Sequence, residues 1–358
     1  MQIGLVGTPY SGKTTLFNLL TGNNQATGFN ETGEIYVGSA VVPDPRIGFL
    51  SNLYKPKRTT YARIDFKDIP GVKMDDNRAR GSQLLNEVRS SDMLVQVVRA
   101  FSSDQTDALV GSSQPYNDLV NYATELILAD IDALEKRIER IDDMKKINND
   151  SLEQQKLLRK LLSALEEEIF IGTLDLTDSE KELLRGQSFL SEKPMLIVIN
   201  IGEDQLHSGD YPQKGKVCQY AAEKGIPVVE VCAKTEMEIN QLEPDEQREF
   251  LDELGLTESS LGRLARTAYE LLHLNSFFTV GEDEVRAWTV NQDTSARKAA
   301  GKIHSDIERG FIRAEVFHYN YLYELGSTVK VREAGQFRLE GKEYKVIDGD
   351  VISFRFNV

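Results

Sequence analysis

The sequence predicts an α/β protein. A domain on a mostly parallel sheet is interrupted by an inserted antiparallel helical hairpin and followed by a small α+β module. Three observations predict it. The apolar run Ile3-Gly4-Leu5-Val6 feeds into Gly7-Thr8-Pro9-Tyr10-Ser11-Gly12-Lys13-Thr14 and then a helical stretch, Thr15-Leu16-Phe17-Asn18-Leu19-Leu20. Buried-type strands at 64–69, 93–99, 194–199 and 227–231 alternate with helical stretches, the pattern of a parallel sheet with helices on its faces. Between the second and third of these, apolar residues recur at threes and fours over 118–186, first Leu119 to Ile141 and then Leu157 to Leu165, with a polar turn at Asn148-Asn149-Asp150.

The first stretch is G-x-x-x-x-G-K-[ST] between a strand and a helix, a phosphate-binding loop. Its glycines let successive backbone N–H groups turn around an anion, and the following helix points its positive end at the same place. Tyr10, Ser11, Gly12, Lys13, Thr14 and Thr15 are the candidate nucleotide-binding residues of this loop. Lys13 reaches β- and γ-phosphate oxygens, and the Thr14 hydroxyl is a candidate Mg²⁺ ligand.

Residues 23–33 are rich in Asn, Gly and Thr, as a mobile segment should be. In switch proteins a Thr of such a loop closes over the γ-phosphate and Mg²⁺; here Thr32 and Thr27 compete for that role. The strand at 64–69 ends in Asp68-Ile69-Pro70-Gly71, a D-x-x-G. Asp68 would hold Mg²⁺ and the Gly71 N–H would meet the γ-phosphate. The next residue is Val72, so a water-orienting Gln is missing.

The helical stretch reads equally as a structural arm or a partner-docking surface, and Ser179-Glu180-Lys181-Glu182 suggests one further capped helix. After it the sheet resumes, and its strands carry a second constellation. Asn200-Ile201-Gly202-Glu203 stands where GTPases place N-K-x-D, and Cys232-Ala233-Lys234 where they place S-A-K. Ile for Lys and Glu for Asp should weaken guanine reading.

Composition narrows the alternatives. The chain has 358 residues, 40% hydrophobic, and a net charge of −15. It repels nucleic acid on average, so any RNA contact must use a local basic face, and no DNA sequence readout is expected. The two cysteines, Cys218 and Cys232, form neither a disulfide framework nor a zinc motif. No apolar run approaches membrane-spanning length, and the N-terminus reads as a strand rather than a signal peptide, so the expected compartment is the cytoplasm.

Residues 273–358 read on their own as an α+β module. Strands are expected at 285–290, 312–317, 336–339 and 351–356, with a helix near 295–308. Arg297, Lys298, Lys302, Arg309 and Arg313 gather near that helix, either to meet phosphates or as a locally paired surface with Asp306 and Glu308. Trp288 reads as core.

The whole chain resembles the YchF/Obg-like ATPase family of P-loop NTPases. The supporting residues are Val42-Pro43-Asp44-Pro45-Arg46, Val97-Val98-Arg99-Ala100-Phe101, the ELILAD stretch at 125–130, Asn200 to Glu203, Gly281 to Thr289, the stretch 299–316 and the closing 348–358. The resemblance implies a nucleotide-binding domain over 1–118 and 189–272, an inserted helical domain over 119–188, and a β-grasp TGS domain over 273–358. It implies Mg²⁺-dependent hydrolysis of ATP, with GTP weaker, tied to Asn200 and Glu203, and a switch acting on the ribosome or RNA. The alternative is a GTP-binding protein or a nucleotide-gated ribosome-binding module with negligible hydrolysis. Thr14 and Thr32 fall on the family's Mg²⁺ positions, and Glu34 and Val37-Gly38 favour Thr32 over Thr27. Three departures stand out. Tyr10 replaces an Asn that helps bind K⁺ in related enzymes, Val72 to Asn77 replace a Gly-rich segment, and Ala108 replaces a His of the mobile loop after Val97-Val98-Arg99. Nucleotide binding therefore reads as intact and the hydrolytic machinery as depleted.

Overall fold

The computed structural model describes residues 1–27, 34–71, 78–144, 149–253, 255–256 and 258–357. Its strands, in chain order, are β1 (Gln2–Val6), β2 (Tyr36–Val41), β3 (Arg58–Thr60), β4 (Arg63–Asp68), β5 (Met93–Arg99), β6 (Met195–Asn200), β7 (Val228–Val231), β8 (Leu274–Thr279), β9 (Glu284–Asn291), β10 (Phe311–His318), β11 (Arg338–Glu340) and β12 (Asp350–Phe356). They form two six-stranded sheets, and the chain divides into two compact units: Met1–Gly38 with Asp65–Leu261, and Ser39–Ile64 with Gly262–Val358.

The first sheet runs β2-β4-β1-β5-β6-β7. β1 pairs in parallel with β4 on one side and β5 on the other, and β5, β6 and β7 continue in parallel. Every residue of β5 and β6 is buried, which is why both read as mainly apolar runs, interrupted in β5 by Gln96 and closed by Arg99 and Asn200. Because β1 has later strands on both sides, the chain leaves it in two directions. The crevice this opens at its carboxyl end is where such sheets bind ligands.

The expected hairpin is present. The helix Pro115–Asp142 has 28 residues, about 42 Å at 1.5 Å per residue. Its first half packs Leu119 and Leu126 against the sheet side. Its second half packs Leu134, Ile138 and Ile141 against Leu157, Leu158, Leu161 and Leu165 of the helix Asn149–Glu166. Asp130, fully buried between the two halves, accepts hydrogen bonds from Leu190 N (3.0 Å), Ser191 N (2.8 Å) and Ser191 Oγ (2.8 Å), just before β6. The further capped helix is Asp178–Leu183, closed by a Thr177–Glu180 capping box.

The second sheet runs β11-β10-β12-β8-β9-β3. β10 pairs antiparallel with β11 and β12, β8 antiparallel with β9, and β12 and β8 are parallel. The helix Ala296–Ile303 lays Ala296, Ala299 and Ala300, all fully buried, on a core with Phe277, Val290 and Val316. Residues 39–64 join this unit by two links, and a local cap sets up the second. β3 pairs in parallel with β9, Asp44 caps the helix Pro45–Tyr54, and Arg46 bridges Asp44 (2.8 Å) and Asp348 (2.6 Å).

Two expectations shift. The helix expected over 295–308 is two helices, Ala296–Ile303 and Ser305–Arg309, because His304 adopts an extended conformation between them and its ring accepts from Asp306 N at 3.2 Å. β11 lies at Arg338–Glu340, one to two residues beyond the expected strand, and β3 and β8 were not anticipated. Arg309 pairs with Asp306 and Arg297 donates to Glu308 O (3.3 Å), so two of the five gathered cations are engaged locally. Trp288 is half-buried against the core, with the Arg286 guanidinium over its ring.

The Asp130→Ala variant should lose about 2–4 kcal/mol of stability in urea unfolding, because two buried N–H groups lose a charged acceptor.

Candidate nucleotide-binding site

The loop after β1 is shaped by positions where only certain residues fit. Gly7 has φ +136°, and a Cβ there would lie 2.3 Å from the Val97 carbonyl oxygen. Gly12 has φ +94°, and its Cβ would lie 2.2 Å from Asn200 Nδ2. Tyr10 holds φ 62°, a left-handed conformation that Asn tolerates better than Tyr. The helix Lys13–Thr21 starts directly behind the loop.

Lys13 is 7% exposed, and its ammonium donates to Gly7 O (2.9 Å) and Thr8 O (2.8 Å). Burial pushes its pKa down to about 8, against the opposing pull of Asp68. Thr14 Oγ1 donates to Asp68 Oδ2 at 2.6 Å, while Asp68 Oδ1 is buried without a hydrogen-bond partner. Burial raises the Asp68 pKa, and the Thr14 hydrogen bond and the Lys13 charge pull it back. Ser11 Oγ is also buried and unpartnered. Gly71 approaches so closely that a Cβ would meet Gly7 O at 2.6 Å and Lys13 Nζ at 2.9 Å.

These residues line a cavity of 170 Å³. Tyr10, Ser11, Gly12, Lys13, Thr14, Thr15, Asp68 and Gly71 all contribute, joined by Thr27, Phe101 and Thr106. Thr32 and Val72 lie outside the described residues. A larger cavity of 310 Å³ shares Pro9, Pro70 and Gly71 with it, but is walled by Leu84, Leu85, Val88 and Leu109 and so offers a phosphate less.

The second constellation meets the loop through Asn200. Its Nδ2 donates to Ser11 O (3.0 Å), and its Oδ1 accepts from Ala233 N (3.4 Å). One amide thereby joins the phosphate loop to the turn at Cys232-Ala233-Lys234. Ile201 and Cys232 turn into an apolar core with Tyr211 and Val217. Glu203 opens the helix Glu203–Ser208 and forms an ion pair with Lys234.

Ala108 sits, exposed, on the helix Asp104–Val110, where a mobile loop was expected. Ser103 caps that helix by accepting from Thr106 N (3.2 Å), and Arg99, 4% exposed, clamps Asp107 at 2.7 Å. Hydrogen bonds from Ser102 and Arg99 hold the Asp107 carboxyl below its usual range. Sequence reasoning missed Phe101 and Thr106 as lining residues. Ser103 followed by acidic Asp104 and Asp107 was the available signal for a capped helix there.

Comparison with known proteins adds a family to this geometry. Residues 2–121 match the MMR_HSR1 family model, described as a 50S ribosome-binding GTPase. Residues 274–357 match the YchF-GTPase_C model, described as a protein of unknown function. The "Ribosome-binding ATPase YchF" of Bacillus subtilis (strain 168) is 41% identical over 364 residues, covering 100% of both chains. Its namesake from Escherichia coli O157:H7 is 39% identical, covering 100% of this chain and 99% of that protein. The structure of the Schizosaccharomyces pombe YchF GTPase superposes with a TM-score of 0.88 at 29% identity, over 99% of this chain and 97% of that one. Identity of this order over the full length, together with the matched C-terminal model, places the chain in the YchF family.

Proposed function

We propose that the chain is a Mg²⁺-dependent ATPase, with GTP the weaker substrate, acting as a nucleotide-gated switch on the ribosome from the cytoplasm. The observation that carries this reading is the convergence, on one cavity, of Lys13, the Thr14–Asp68 pair and Gly71. The ribosome and ATP enter from the printed names of the Bacillus and Escherichia relatives, "Ribosome-binding ATPase YchF".

The residues fit a hard cation. Asp68 offers a buried carboxylate oxygen without a partner and Thr14 a hydroxyl beside it. Among the described residues no cluster of three His, Cys, Asp or Glu side chains forms a metal site. This suits Mg²⁺, which takes one or two protein ligands and completes its shell with phosphate oxygens and water. When bound, Mg²⁺ would neutralise charge on the β- and γ-phosphates. Thr14 and Asp68 would hold it, with Thr32 the further candidate.

The chain's own residues would do the rest. Lys13 and the loop amides hold the β- and γ-phosphate oxygens, and the Gly71 N–H faces the phosphoryl group that passes to water. Tyr10, Ser11, Gly12 and Thr15 wall the phosphate end. Asn200, Glu203, Ala233 and Lys234 frame the base, with Cys232 serving through its backbone. Ala108 carries no proton acceptor, and a positioned general base is worth roughly 10²–10⁴-fold. Turnover should therefore be slow. That same residue favours the second reading, a nucleotide-gated ribosome-binding module with negligible hydrolysis.

Phosphate release from saturating ATP should exceed that of Lys13→Ala; equality of the two would reject the ATPase reading and leave the binding module. Ribosome co-sedimentation should differ with and without a non-hydrolysable ATP analogue, and equal pelleting would sink the gating idea. The Lys13 pKa gives a pH dependence. In the free protein its ammonium loses its proton near pH 8, and a bound polyphosphate raises that value. Binding therefore takes up a proton above pH 8 and none at Lys13 well below it. Calorimetry in two buffers at pH 9 should show an uptake about one proton larger in the wild type than in Lys13→Met, shrinking to about a tenth at pH 7.

A further inference from the structure

We infer that Lys234, through its ion pair with Glu203, sets the base preference by turning a guanine-type reader into an adenine-type one. This rests on the reading of the cavity as a nucleotide site. In N-K-x-D a lone carboxylate accepts from two adjacent donors of guanine, N1–H and the exocyclic amino group. Adenine offers a different edge: an amino donor beside N1, which is an acceptor. A lone carboxylate facing adenine sets acceptor against acceptor at N1. An ammonium held beside the carboxylate changes the pattern. The ammonium has three donors and no acceptor, the carboxylate only acceptors. Side by side they match N1 and the amino group together.

The structure supplies that pair from two segments. Asn200 fixes both, donating to the phosphate loop at Ser11 O and accepting from Ala233 N. Glu203 lies three residues beyond Asn200 and Lys234 one beyond Ala233, and their charged groups meet. Ile201, at the position of the N-K-x-D lysine, is 3% exposed within an apolar core and brings no charge to the base. Lys234 therefore provides the ammonium from a different element. Its side chain is 68% exposed and that of Glu203 38%, so both can be reached by a ligand. The hydrogen bond to Glu203 raises the Lys234 pKa, which keeps it charged at physiological pH. Exposed ion pairs contribute little to folding stability, so removing this one tests recognition rather than folding.

The test is the ratio of ATP to GTP dissociation constants, measured by calorimetry on the full chain with Mg²⁺, with thermal melting to verify the fold. Lys234→Met keeps the aliphatic stem and removes the donors. It should weaken ATP about tenfold, the loss of one hydrogen bond to a charged group, and leave GTP unchanged or tighter. Lys234→Arg retains donors and should keep the preference for ATP. An unchanged ratio in Lys234→Met, equal weakening of both nucleotides, or a wild type that prefers GTP would overturn the inference. A wild type that binds neither nucleotide would instead overturn the proposed function.

Discussion

A buried ammonium at the carboxyl end of a parallel sheet sets the terms for the first unit. Lys13 is drawn out of water by the loop that wraps it, and taking a charge from water is costly unless partners replace the solvent. Two carbonyls of the loop, Gly7 O and Thr8 O, supply that replacement, so the loop must curl back on its own lysine. The curl forces positive φ at Gly7, Tyr10 and Gly12, brings Gly71 within reach of the ammonium, and draws Asp68 close enough to oppose the fall in its pKa. Much of the local geometry follows from housing one charge.

The same loop is held from its other side by a neutral group. Asn200 lies at the end of β6, and its amide both donates and accepts, so it can join two backbones that otherwise have no reason to meet. A carboxylate there could accept but not donate, and a lysine could donate but not accept. That double capacity ties the phosphate loop at Ser11 to the backbone at Ala233, next to Lys234.

The second unit obeys a different logic. Its core is built on a helix that presents alanines, so helix and sheet approach closely around Phe277, Val290 and Val316. Arg46 is the polar counterpart. It is held by Asp44 on its own helix and by Asp348 three hundred residues later, with the ring of Phe278 beneath it at 5.1 Å. Asp348 in turn accepts from Ser276 N at 2.7 Å, so the cation is part of a connected set rather than an isolated surface pair.

Contiguous patterns were legible. The phosphate loop, D-x-x-G, the helical hairpin and the buried strands each occupy one stretch, and their signals are local spacing and periodicity, which survive without knowledge of the fold. The departures Tyr10 and Ala108 were legible too, as single letters. Other features were not. β3 is three residues of Arg-Thr-Thr with no apolar signal, and it is a strand only because β9 pairs with it. Whether 295–308 made one helix or two turned on the backbone of His304, which composition does not reveal. Thr27 reached the cavity lining, a placement that loop composition could not decide. By itself, the sequence determined the order of the elements and the residues of the phosphate loop. Only the tertiary structure decided that Asn200 grips Ser11 across 189 residues, that Lys234 pairs with Glu203, and that 39–64 belongs with the C-terminal unit. These are long-range contacts between polar groups, and nothing in the local sequence specifies which distant partner will satisfy a given donor or charge.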